Sequence, residues 1–241
     1  MDESKAKGIA DFVFKDVFGR ENRFSLDEIR DRFAFDIELP RKVKDDMSGD
    51  PTWMSGNRAA KVMSTDIIVQ QSKKDVWMKP KKKIRTITDL FSDWDEIAYF
   101  ASEKMLDSSD TAECDDIYRS TSVYHSAKIH DSQKVVFSEN LRNCKLVVAG
   151  HYSDTTTSSL RFSNCEHMSA SFSCVWSGHA SRCMYLNNCI DMYECLFCSN
   201  LRSKKYCIAN MQFTKEEYMP IKQQVINWTI ENFRKGNTMG F

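Results

Sequence analysis

Hydrophobic positions in the first stretch of the chain recur at helical spacing. Ile9, Phe12, Val13, Val17 and Phe18 fall on steps of three and four, which line one face of a helix. A second short helix is announced by Ser25 and Glu28, a pair in which each side chain satisfies a backbone N–H at the helix start. Both predicted helices are too short to hold alone and need a surface to dock on. From 36 to 85 the pattern weakens. Pro40, the run Ser48-Gly49-Asp50-Pro51 and the pair Ser55-Gly56 break it. What is left is a short helix near Arg58 to Met63 and a strand at Ile67 to Val69, within an extended arm. Residues 88 to about 107 predict a clearer helix, with Leu90, Trp94, Ile97 and Ala101 on one face. Asp89, Asp93, Asp95 and Glu96 gather toward its positive end. That apolar stripe calls for burial, as a flank or cap to the domain C-terminal to it.

Beyond about residue 118 the pattern changes. Short apolar runs at Lys134 to Phe137, Lys145 to Val148 and Leu160 to Phe162 alternate with Ser, Asn, Asp, Thr and Gly, and no amphipathic helix fits before Thr214. Short strands at close intervals with polar corners predict an all-β repeat. Cysteine supplies a period: Cys144 to Cys165 is 21 residues, Cys165 to Cys183 is 18, Cys174 to Cys195 is 21 and Cys189 to Cys207 is 18. The expectation is a mainly β chain, an irregular β-solenoid with coils of about 18–21 residues, in which side chains one coil apart lie over one another. Cys144, Cys165, Cys174, Cys183, Cys189, Cys195, Cys198 and Cys207 would form its interior ladder, being small, apolar and free of strong hydrogen-bonding demand. Glu139-Asn140-Leu141-Arg142 returns as Ser199-Asn200-Leu201-Arg202 after 60 residues, as three coils of about 20 would give. Gly150-His151 returns as Gly178-His179 after 28, which fits less well. Asparagine suits the corners, where it tolerates left-handed backbone. Aromatic residues such as Phe137, Phe172, Trp176, Tyr185 and Phe197 fill the interior or cover an outer face.

The chain closes with a predicted helix. Thr214 and Glu217 form a second capping pair, Tyr218, Ile221, Val225 and Phe233 supply a stripe, and Gly236 marks the stop. Pro220 would delay or kink the first turn. This helix is expected to cover the open edge of the last coil. The divisions are then helices and arm over 1–85, a flanking helix and linker over 86–117, the solenoid over 118–213 and a capping helix over 214–241.

Charge narrows the partners. Lys plus Arg equals Asp plus Glu at 34 each, so no global field draws the protein to nucleic acid or an anionic membrane, and any electrostatic partner must be recruited locally. The place for that is Lys73, Lys74, Lys79, Lys81, Lys82, Lys83 and Arg85, with Trp53 and Trp77 nearby. Such a run is a solvated or partner-facing strand, or it grips phosphate, and the indoles anchor a protein contact or stack on bases. The N-terminus lacks the basic and apolar regions of a leader, and no run approaches about 18 apolar residues. The expected location is therefore the cytoplasm, without secretion and without a membrane partner. Thiols stay reduced in such a compartment, and an odd nine cannot all pair within one chain.

Candidate chemistry is sparse. Cys195 and Cys198, joined by Cys189 and Cys207, are the combination that could supply four zinc ligands. Leu196 and Phe197 between the pair fit a packed strand instead, and no metal or other cofactor is expected. His125, His130, His151, His167 and His179 are scattered. The nearest approach to a nucleophile pair is His179 with Cys165 or Cys183, but no third group is placed to orient the base. A GxxxxGK[ST] phosphate loop is absent. No catalytic residue and no enzymatic activity are expected.

The segment Cys195 to Tyr218, CLFCSNLRSKKYCIANMQFTKEEY, resembles the end of a cysteine- and asparagine-rich family of uncharacterised proteins found in candidate-phylum bacteria and tailed phages. Asn200-Leu201-Arg202, Lys204 to Ile208, Asn210, Gln212 and Thr214 to Tyr218 carry the likeness, which loosens back toward residue 90 and covers about half the chain. The family's N-terminal zinc-ribbon cysteines have no counterpart here. The resemblance implies a Cys-Asn solenoid and brings no activity with it. Taken with the arm, it sets the expectation of a non-enzymatic structural or interaction protein. This would be a phage virion or capsid-type assembly component that docks on other protein subunits. The alternative is a regulator that binds nucleic acid or a host protein through residues 73–85.

Overall fold

The repeat is built from a three-residue unit. Between Asp107 and Ala209, non-glycine residues recur at three-residue steps with φ between +41° and +67°, left-handed backbone that costs an ordinary L-residue roughly 1–2 kcal/mol. Each turns the chain; the residue after it points inward and the next points outward. The computed structural model describes residues 1–56, 61–74, 76–150, 153–163 and 165–238. In it, Val123 pairs with Val135, Val135 with Val147 and Leu186 with Cys198, an offset of twelve residues that holds for every parallel pairing between coils. A coil is therefore four walls of three residues, each giving one inward side chain. The solenoid stands, and the expected coil of about 18–21 residues is corrected to twelve. The spacings of 21 and 18 are multiples of three, so they report the wall and not the coil. All nine cysteines share one phase of the triplet, which points inward wherever it is described. Cys183, Cys195 and Cys207 form a true ladder, and Leu186 stands between Cys174 and Cys198 on another wall. Of Cys165 only the backbone, in the strand Cys165–Val175, is described. The Asn-Leu-Arg repeat at 60 residues is five coils; the Gly-His repeat at 28 is not a multiple of three, and its His151 lies outside the described residues.

Hydrogen bonding explains why the interior is rich in serine and cysteine. A buried N–H needs an acceptor; that of Ile117 takes the Lys104 carbonyl of the ladder (2.8 Å), but where the coil below offers a serine or cysteine the N–H of the inward residue turns into the core. It finds the side chain one coil below: Ser132 N–H donates to Ser120 Oγ (3.1 Å), Ser138 N–H to Ser126 Oγ (3.1 Å), Cys183 N–H to Ser171 Oγ (3.3 Å) and Cys207 N–H to Cys195 Sγ (3.5 Å). The same side chain donates to the carbonyl two residues earlier, as Ser120 does to Tyr118 (2.7 Å) and Cys198 to Leu196 (3.2 Å). Serine and cysteine are the smallest side chains that do both. The thiols thus carry a hydrogen-bonding duty, which corrects the expectation that they are free of one. Size is balanced within a wall as well. Phe162 is one coil above Gly150, where an added Cβ would lie 2.8 Å from both Phe162 Cζ and Leu141 Cδ2.

Helices cover one outer wall. Val136, Val148, Leu160, Phe172, Met184 and Leu196, each twelve residues from the next, form an outward apolar column buried beneath three helices. These are α1 (Glu3–Phe18), α2 (Leu26–Phe33) and α5 (Lys215–Arg234). A helix of 16 residues is about 24 Å long, the height of about five coils at ~4.8 Å each, and α1 packs along the strands from Thr121 to Val175. Phe172 is the meeting point, with the rings of Phe18, Phe33, Tyr185 and Phe233 at 5.2, 6.2, 5.2 and 5.8 Å. The predicted capping boxes at Ser25/Glu28 and Thr214/Glu217 are formed, and α5 runs on through Pro220. Its expected role as an end cap is corrected, because its apolar stripe matches the outward column and not the strand edge. Tyr185 bonds Thr229 across this flank (2.9 Å), and Lys222 pairs with Glu194. The last coil closes by Met211–Gln212 folding back on Cys207–Ile208, and its remaining edge, Arg202–Lys205, is exposed and basic, which discourages further strand pairing.

The segment between α2 and the coils is folded onto them. β1 (Arg41–Lys44) and β2 (Pro51–Met54) make a hairpin; β3 (Lys61–Ser64) leads into α3 (Thr65–Lys73); after α4 (Ile87–Ile97) comes β4 (Tyr99–Ser102), parallel to β3. The expected helix near Arg58 to Met63 and strand at Ile67 to Val69 are thus exchanged, with residues 57–60 outside the described set. Long-range partners decided this: Met63 pairs with Ala101, and Asp45 Oδ2 accepts the Ser64 N–H (2.6 Å). The same ladder ends the predicted helix at Ile97, ahead of Ala101, and coils begin near Met105, before residue 118. Buried Asp115 locks the arm to the first coils by accepting from the Ser55 N–H and hydroxyl (2.8 and 2.7 Å) and from the Lys104 N–H and ammonium (3.0 and 3.1 Å).

Candidate docking surface

Residues 73–97 stand apart from this packing. Thr86 starts α4 by a capping box with Asp89, whose carboxyl is held below the usual range, first by the Arg85 N–H and then by that of Thr86. The helix then buries none of its residues. Ile87, Phe91 and Trp94 are 66%, 64% and 62% exposed, and Leu90 and Ile97 lie beside them on the same face. The stripe that called for burial is bare, because α4 leaves the solenoid where β4 enters it and only its polar side is held. Lys61 bonds Asp95 (3.2 Å), Lys79 bonds Glu96, and Lys82 bonds Asp93 (2.5 Å). The basic segment from Lys79 to Arg85 therefore folds back along α4, forming a groove of about 590 Å³ walled by Pro80, Ile84, Leu90, Trp94 and Ile97.

Two of the seven predicted cations are spent on these internal pairs. Lys73, Lys74, Lys81, Lys83 and Arg85 are exposed and have no ion-pair partner among the described residues. Trp77 lies against Tyr99 with ring centroids 6.0 Å apart, and its buried indole N–H has no partner among the described residues. Trp53 is elsewhere. Its ring meets His125 edge-on at 5.1 Å, its N–H donates to Glu103 and its carbonyl accepts from the Glu103 N–H. It anchors the arm to its own solenoid. The apolar stripe of α4 is the part of the surface that sequence reasoning did not treat as a site, although the stripe and the adjoining cation run were both visible.

The thiols behave as structure. Cys189, Cys195, Cys198 and Cys207 occupy three different walls, and among the described residues no three His, Cys, Asp or Glu side chains gather as metal ligands. Burial pushes the Cys114 thiol up to about 12; Cys195 rises to about 12, first through its hydrogen bond with Cys183, and Cys198 rises through its bond with Cys195. Protonated, buried thiols are poor nucleophiles. His179 points outward, 54% exposed, and pairs with Asp191 (3.1 Å), whereas Cys183 is fully buried, so those two do not meet. His125 is held by Glu113 and the Pro40 carbonyl, and His130 is stacked on Tyr118. His151 lies outside the described residues, as does the side chain of His167. Among the described residues no helix is long and apolar enough to cross a membrane. Comparison with protein-family models, curated proteins and solved structures finds no match.

Proposed function

We propose that this chain is a non-enzymatic interaction protein, a subunit of a larger assembly, whose solenoid serves as a stiff body for a docking element at residues 73–97. The observation that carries this is α4: five large apolar residues on one face are exposed and none is buried. A helix of 11 residues is marginal in water by itself, and a contiguous exposed apolar patch marks an interaction site. Charge complementarity sets the occupant. Lys81 lines the same groove as Leu90, Trp94 and Ile97, and Arg85 immediately precedes the N-cap of α4, so the partner is a protein with an apolar groove edged by carboxylates, the helix-in-groove mode of recognition. The likeness of Cys195 to Tyr218 to a family met in tailed phages points to a virion as the assembly.

Binding of nucleic acid through the same cations is the second reading. It is disfavoured because Asp89, Asp93, Asp95 and Glu96 share the element and repel phosphate. The test uses the full chain with Leu90→Asp plus Trp94→Asp, and separately with Lys81, Lys83 and Arg85 all changed to Glu. Both variants should drop out of particles purified from the source while their circular dichroism stays unchanged. Retention of both in particles, or absence of the parent chain from them, overturns the proposal. DNA or RNA binding abolished by the charge reversal would instead establish the regulator.

A further inference from the structure

A second surface lies on the last coils, on the wall next to the helix-covered one. Val175, Asn187 and Ser199 pair in register up this wall, spanning about 10 Å, and form the floor of a groove of about 300 Å³ that Ser173, Tyr185 and Phe197 also line. Its aromatic side is preorganised. Tyr185 and Phe197 stack with centroids 4.5 Å apart and planes at 6°, and Trp228 of α5 stands 6.4 and 6.5 Å from them. The Tyr185 hydroxyl is tied to Thr229, which fixes the stack. Phe197 and Trp228 still expose 36% and 47% of their surface. On the polar side the exposed Asn187 amide bonds no protein group among the described residues, and at the next corner Asn188 donates to Asn200 (2.7 Å). No charged side chain lines the groove.

We infer that this groove binds a neutral saccharide, one or two rings of a glycan. A charged ligand would lack a counterion on being desolvated. A planar base finds no sandwich slot, since the two rings already use the stacking distance between them and leave it one-sided contact at most, and an extended peptide finds no free strand edge, since the wall's backbone is used in the ladder. A sugar ring offers what the groove lacks: a face of C–H bonds for the aromatic wall, and hydroxyls that both donate to and accept from an asparagine amide. The volume sits at the low end for small-ligand sites, about 300–1,000 Å³. The groove is separate from the docking element, which lies toward the other end of the solenoid.

The experiment titrates the full-length protein with maltotriose, cellotriose, chitotriose and lactose at millimolar concentration, read by saturation-transfer NMR and calorimetry. Phe197→Ala and Asn187→Ala are run beside it, both at exposed positions that spare the fold, with circular dichroism as the check. At least one saccharide should bind with saturation transferred to its ring C–H protons. Its dissociation constant should rise about threefold to tenfold in each variant and stay unchanged in Trp94→Asp. Failure of all four sugars to bind, binding that survives both groove variants unaltered, or groove-dependent capture of adenosine or a neutral pentapeptide in place of a sugar would overturn it.

Discussion

A thiol inside this solenoid is a hydrogen-bonding group first and a reactive one last. With Cys114 and Cys195 at about 12, only about one in 10⁴ of each is thiolate at pH 8. Iodoacetamide at that pH should leave Cys114, Cys183, Cys189, Cys195, Cys198 and Cys207 unlabelled in the native protein and label them all in urea; labelling of any before unfolding would contradict their burial. The linkage has a definite sign. A folded-state value raised above the unfolded one contributes stability fully present below about pH 9, and lost as pH climbs toward 12. The loss approaches ~1.4 kcal/mol per pH unit for each thiol titrating in the unfolded chain alone. Urea midpoints measured over pH 8 to 11 should fall steadily, less steeply in Cys195→Ser, where the hydroxyl keeps the bonds without titrating. Gly150 is the steric counterpart. Gly150→Ala drives a Cβ into Phe162 and Leu141 and should cost about 1–3 kcal/mol, recovered in part when Phe162 is shortened to Leu.

Among the elements, the same amphipathic logic has two outcomes. The faces of α1, α2 and α5 match an outward column of the solenoid and are buried by it; the face of α4 leaves none of its residues buried. Truncating the shared contact, Phe172→Ala, should therefore cost about 3–5 kcal/mol in chemical denaturation and loosen all three helices together. By contrast Trp94→Asp should change the unfolding free energy by no more than about 0.5 kcal/mol. A large loss there would mean that α4 packs on its own chain. The capping boxes and apolar spacings of α1, α2 and α5 could be read directly because they are local. β3 and α3 could not, since their partners, Tyr99–Ser102 and Asp45, are distant in sequence.

Across the molecule, the coil length governs what the fold tolerates. Solenoids lose or gain whole repeats because each coil touches only its neighbours. Deleting residues 187–198 removes one coil, keeps every wall in register and should leave a cooperatively folded, less stable protein. Deleting the eighteen residues 187–204 turns the remaining chain by two walls, takes Ile208 off the helix-covered column and should abolish folding, as judged by near-ultraviolet circular dichroism. Survival of the second and not the first would restore the longer coil. Local chemistry was enough to dictate the three-residue unit, visible in cysteines that all share one phase, along with the helices whose caps and stripes are local. A triplet is set by one left-handed residue, and that choice is made within the chain's own neighbourhood. How many triplets close a coil was settled in three dimensions alone. Closure depends on which residue lies over which, through N–H groups that reach Ser and Cys side chains twelve positions away and through the apolar column that the helices cover.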